Sequence, residues 1–217
     1  MPWYYLPSFT VMACFLDLPV QRFCRAPLAA WGLGGAVALL LLLQTPGLIS
    51  YSKIRRTNLD LLVTRIGEQA VPGDFIMVSP LWIGQAFTYY YRGSAPWALL
   101  PGLSSPDAEA LDGSRILQLA RSPQAALLPL MREMERTLRS GHRVWVVGDL
   151  RAPQDGQAPV PPSSLKIADC TSYWDRAAGL FLQQHVTSGT TPFDATPTGP
   201  VMYLECLPVR QYSGWRE

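Results

Sequence analysis

Asp149 is the residue whose type and place most invite chemistry. It follows Gly148 at the carboxyl end of Arg143–Val147, the clearest strand pattern in the chain, and open α/β sheets gather ligands at that edge. The same residue also reads as an ordinary turn position after a glycine. Asp74, after Pro72 and Gly73, reads as turn chemistry before a strand. The run Tyr89-Tyr90-Tyr91-Arg92 offers aromatics that could stack on a sugar or lie at a membrane interface. Three adjacent residues on a helix point in three directions, so at least one belongs to a core and one to a surface. His142 falls in a turn and His185 near a helix C-terminus, where a cation is favourable; both read as structural or surface positions. No G-x-G-x-x-G follows the strand at Phe75, and the chain has no phosphate-loop, G-x-S-x-G or H-E-x-x-H pattern. The sequence therefore assigns no catalytic, cofactor-binding or metal-ligating residue. Of the four cysteines, none stands in a C-x-x-C pair or at metal-ligand spacing from a histidine, which argues against zinc. Cys14 and Cys24 read as space fillers. Cys170 and Cys206 either pair, if their domain is outside the cytoplasm, or remain thiols.

Composition divides the chain into two environments. Hydrophobic residues make up 48% of the 217, with a mean hydropathy of +0.10. The excess sits in the first fifty residues, whose only charged side chains are Asp17, Arg22 and Arg25. From Pro27 to Ile49 there is no charge at all, and about 20 apolar residues suffice to cross a hydrocarbon core about 30 Å thick. Residues 27–50 are thus expected to span a membrane, with Pro27 in the first turn, Pro46 and Gly47 at the exit, and Trp31 and Tyr51 at the interfaces. The stretch 3–16 is short for a span and reads as the later part of one that is cut. Lys53, Arg55 and Arg56 suit a juxtamembrane anchor on anionic headgroups. Elsewhere the basic residues are scattered and the net charge is only +2, which argues against nucleic acid as a partner. The expected organisation is a membrane region over 1–51 and a soluble domain over 52–217.

Within that domain, helix and strand patterns alternate. Thr57-Asn58-Leu59-Asp60 resembles a capping box ahead of an apolar face at Leu59, Leu62, Val63 and Ile66. Phe75–Val78 reads as a short buried strand, Gly84–Tyr91 as a helix and Trp97–Leu100 as a second strand. A weaker helix falls at Asp107–Ala120. Ser122 and Pro123 start a helix that reaches Ser140, with Pro129 expected to kink or shorten it. After the strand at Arg143–Val147 and a Pro-rich loop, Thr171 or Ser172 caps a helix through about Val186. Val201–Leu207 reads as the last strand. This order predicts an α/β fold: N-terminal transmembrane helices followed by a small Rossmann-like, mainly parallel three-layer domain.

Several stretches together resemble the C-terminal end of bacterial polytopic membrane glycosyltransferases of the GT-C class, the family 39 or protein-mannosyltransferase-like enzymes. Pro2 to Pro7 resembles an aromatic-rich lead-in to one of their late helices, with Trp3 where arginine often stands. Arg56–Asp60 and Val71–Asp74 resemble the start of their C-terminal region. Gln85–Gly93 with Pro96 and Trp97, and then Ser140–Gly148, continue the likeness. It implies hexosyl transfer from a polyprenyl-phosphate-linked sugar, an inner-membrane location and an extracytoplasmic domain. Such enzymes carry their catalytic acidic residue in a first extracytoplasmic loop that has no counterpart here, so no catalytic residue is transferred. The expected partners are the lipid bilayer and other transmembrane helices or a membrane protein. Two other readings stand beside it: a complete two-span protein with a non-catalytic binding or interaction domain outside the cytoplasm, and a nucleotide-using enzyme, which the missing phosphate loop disfavours.

Overall fold

The computed structural model describes residues 55–104, 113–153, 156–194 and 201–217, together with Leu43 and Pro46. The chain divides into two units, Met1–Ile54 and Arg55–Glu217, and the second holds the sheets. It opens with β1 (Arg55–Thr57) and α1 (Leu59–Gln69), then β2 (Phe75–Val78), a 3-10 turn at Leu81–Ile83 and α2 (Gly84–Tyr90). Next come β3 (Trp97–Leu99), β4 (Leu103–Ser104), α3 (Gly113–Ala120), α4 (Pro123–Arg139) and β5 (Val144–Val147). The last elements are α5 (Ile167–His185), β6 (Val186–Thr190), β7 (Val201–Glu205) and β8 (Val209–Trp215).

Helical periodicity accounts for α1, which buries Leu59, Leu62, Val63 and Ile66, the i, i+3, i+4, i+7 face expected of a half-buried helix. Its start differs from the expected capping box. Asn58 is the N-cap residue, and the Thr57 hydroxyl accepts from the Leu59 N–H at 3.1 Å. The Asn58 amide bridges to a distant loop instead, donating to the Leu207 carbonyl at 2.9 Å and accepting the Leu207 N–H at 2.8 Å. Pro129 does not end α4, which runs on to Arg139. Pro129 and Ala125 are both exposed, so the carbonyl freed by the missing N–H faces solvent. The start of α5 falls at Ile167, ahead of Thr171, with Asp169 in its first turn, where a carboxylate suits the helix dipole.

The main sheet has six strands in the order β4-β3-β2-β5-β8-β6. β3, β2 and β5 run parallel; β4 on β3, β8 on β5 and β6 on β8 are antiparallel. Every residue of β2 and β5 is buried, so the sheet is covered on both faces there, as central parallel strands require. α4 packs against β2, β5 and β8 with α3 and α5 beside it, and α1 packs on α2.

This overturns the mainly parallel sheet that alternation predicts. In the main sheet only β3, β2 and β5 are parallel. β4 follows β3 after Leu100-Pro101-Gly102, a connection too short for a parallel crossover. The stretch 201–207, expected to extend the main sheet, instead supplies β7, which pairs in parallel with β1 in a separate two-stranded sheet. The strand beside β5 is β8, which the sequence patterns do not announce. The N-terminal transmembrane helices are likewise not part of the described fold. Among the described residues no helix is long and apolar enough to cross a membrane, and the stretches 3–16 and 27–50 lie outside them except for Leu43 and Pro46.

Candidate functional site

β2 and β5 are neighbours whose onward connections leave in opposite directions: β2 leads to β3 on one side, and β5 leads towards β8 and β6 on the other. Such a divergence opens a crevice at the carboxyl edge of a sheet. A cleft of about 380 Å³ lies there, within the range of small-ligand sites.

Each wall has a local cause. β2 ends at Ser79, whose N–H donates to the Val147 carbonyl at 2.8 Å and whose peptide to Pro80 is cis. The 3-10 turn that follows turns Trp82 outward with 66% of its surface exposed. β5 ends at Gly148, at φ +106°, where a side chain is strained and a Cβ would overlap the Ser79 carbonyl. Glycine there brings the two strand ends together and carries Asp149 and Arg151 into the cleft. α5 contributes Ala168, Thr171, Ser172, Asp175 and Arg176, a spacing that places them on one helical face. It sits close because Gly179 meets the Ala152 backbone; a Cβ there would lie 2.9 Å from the Ala152 nitrogen. Leu207 and Pro208 close the remaining side, held by the two Asn58 bonds.

The polar centre of the cleft is a hydroxyl–carboxylate pair. Ser79, only 2% exposed, donates from Oγ to Asp175 Oδ1 at 2.7 Å. Burial pushes the Asp175 carboxyl above its usual range; the Ser79 bond and the Arg151 charge pull it down, while Asp149 adds to the rise. Two carboxylates, two guanidiniums, one indole and a buried hydroxyl therefore line the same cleft. The arrangement can accept and donate hydrogen bonds to a polyhydroxylated ligand while offering an apolar plate to its flat face. Among the described residues, no group of three or more His, Cys, Asp or Glu is placed to hold a metal ion.

Of the residues that the sequence brings forward, the structure takes Asp149 into this cleft and leaves the others elsewhere. Asp74 is at the opposite end of β2, 1% exposed, where Arg143, Trp145 and Val71 all donate to it. Tyr91 is core, its hydroxyl donating to the Ala95 carbonyl at 3.0 Å. Tyr89 and Tyr90 are exposed and meet edge to face at 5.1 Å. His142 lies against Gly73, and His185 stacks on Trp215 with ring centroids 4.7 Å apart. Cys170 and Cys206 are both free thiols, the first buried and the second exposed. Sequence reasoning missed Ser79, Trp82, Arg151, Asp175 and Arg176. Ser79 had a usable signal, because it directly follows the buried strand β2, as Gly148 and Asp149 follow β5. No family model, curated protein or solved structure matches the chain.

Proposed function

We propose that the chain is the C-terminal portion of a membrane glycosyltransferase of the GT-C class, one that uses a polyprenyl-phosphate-linked sugar. Its α/β domain lies outside the cytoplasm at the inner membrane and binds on the acceptor side without performing transfer. The observation that carries the binding role is the cleft at the β2/β5 edge, which Trp82, Asp149, Arg151 and Arg176 line together with the bonded Ser79–Asp175 pair. The family reading is supported by the resemblance of Gln85–Gly93 and Ser140–Gly148, which build α2 and β5 beside that edge.

Cys206 supplies the test. It is exposed, whereas Cys170 is buried, so a membrane-impermeant maleimide added to intact spheroplasts is expected to label Cys206. The label should vanish in a Cys206→Ser chain. Labelling of Cys206 only after lysis places the domain in the cytoplasm and overturns the reading. Hexose transfer by this chain alone overturns its non-catalytic part.

A further inference from the structure

We infer that the cleft takes an uncharged pyranoside, a ligand class that rests on the binding role proposed above. The first ground is Trp82. An indole 66% exposed at the lip of a cleft offers a broad apolar plate to whatever enters the cleft. The C–H face of a pyranose is flat, apolar and of matching width.

The second ground is charge. Asp149 and Asp175 face Arg151 and Arg176 around the same space, two negative groups against two positive. A phosphate or a uronate gains from the guanidiniums but meets both carboxylates, and a cation meets the reverse. A neutral polyol uses all four at once. Each sugar hydroxyl both donates and accepts; carboxylates accept hydrogen bonds from its O–H and guanidiniums donate to its oxygen. The third ground is order. Asp175 is fixed by the 2.7 Å bond from the buried Ser79 hydroxyl, and Arg176 follows it on the same helix. One acceptor of the site, Asp175, is thus held in place before a ligand arrives, which lowers the cost of binding.

The test is a titration of the full chain in detergent with methyl mannoside, methyl glucoside and methyl galactoside and their disaccharides, read by saturation-transfer NMR and calorimetry. Glucuronate, glucosamine and inorganic phosphate serve as charged comparators. At least one neutral glycoside is expected to bind more tightly than every charged comparator. Trp82→Ala is expected to weaken it by about tenfold and Trp82→Phe to restore most of the loss. The unfolding midpoint should stay unchanged in both, since the side chain is mostly in water. Tighter binding of glucuronate, glucosamine or phosphate overturns the ligand class, and so does the absence of binding by any neutral glycoside. Equal binding by Trp82→Ala overturns the placement at this cleft. Cys206 labelling reads the domain's location independently of sugar, so a failed titration with outside labelling removes the ligand class and leaves the location standing.

Discussion

Replacing Asp74 by asparagine perturbs a buried side chain that accepts from three residues at once. Its Oδ1 accepts the Arg143 N–H at 2.9 Å. Its Oδ2 accepts from Val71 N at 3.2 Å, Trp145 Nε1 at 3.0 Å and Arg143 Nη2 at 2.8 Å. Every neighbour is a donor, so an amide NH2 in either orientation points at an N–H and leaves at least one buried donor unmet. Breaking one side of a buried ion pair costs about 3–5 kcal/mol. The Arg143 side chain is 33% exposed, so water recovers part of its charge, and the lower end applies: about 3 kcal/mol. For a domain of this size that lowers the unfolding midpoint by roughly 6–12 °C. Acid gives a second reading. Burial alone pushes the Asp74 carboxyl up, but the bonds from Trp145, Arg143 and Val71 outweigh it, and the folded value lies below 3.8. A carboxyl depressed by folding contributes stability that is complete above its unfolded value and lost as pH falls through the folded one. The gap between wild type and Asp74→Asn should therefore be widest at neutral pH and shrink below pH 3.8. Urea titration followed by tryptophan fluorescence at neutral pH and at about pH 3 measures both. A gap under about 1 kcal/mol at neutral pH, or one equal at the two pH values, refutes the reasoning.

Asp175 behaves in the opposite sense. Its carboxyl is raised by folding, chiefly by burial, so its charged form detracts from stability as pH rises from the unfolded value through the folded one. Asp175→Asn keeps an acceptor for the Ser79 hydroxyl and is expected to unfold at a higher urea concentration than wild type at neutral pH. The advantage should disappear well below the ordinary carboxylate range; a variant less stable than wild type at neutral pH contradicts this. Gly148→Ala combines a strained φ with overlap on the Ser79 carbonyl. It should cost about 3 kcal/mol or more, seen as an early unfolding midpoint, whereas a loss under about 1 kcal/mol means the two strand ends are free to separate.

What the sequence makes legible is what local periodicity controls. The buried face of α1, and β2 and β5 as unbroken apolar runs, follow from spacing alone. The rest depends on pairings that spacing does not encode. β8 reads Val-Arg-Gln-Tyr-Ser-Gly-Trp, with no apolar alternation, because its partners on either side supply the hydrogen bonds and only Val209 is fully buried. β6 is exposed beyond Val186 and starts where α5 stops, without turn residues to announce it. β4 has two residues. In the cleft, Asp149 is legible because a strand end is legible. Asp175 is not, since a charge on the outer face of an amphipathic helix is commonplace. Its meaning comes from Ser79, 96 positions earlier in the chain.

The place of β8 has a consequence for how the protein is made. β8 follows both β5 and β6 in sequence yet lies between them in the sheet. As the chain leaves the ribosome, β2, β3 and β5 can assemble while β6 still has no strand to join. Leu207 and Pro208, which precede β8 directly, complete the cleft only when it inserts. The cleft is therefore complete only once β8 has been made. Until then the open edge of β5 is an unpaired strand at the heart of the domain, the feature through which nascent chains stick to one another.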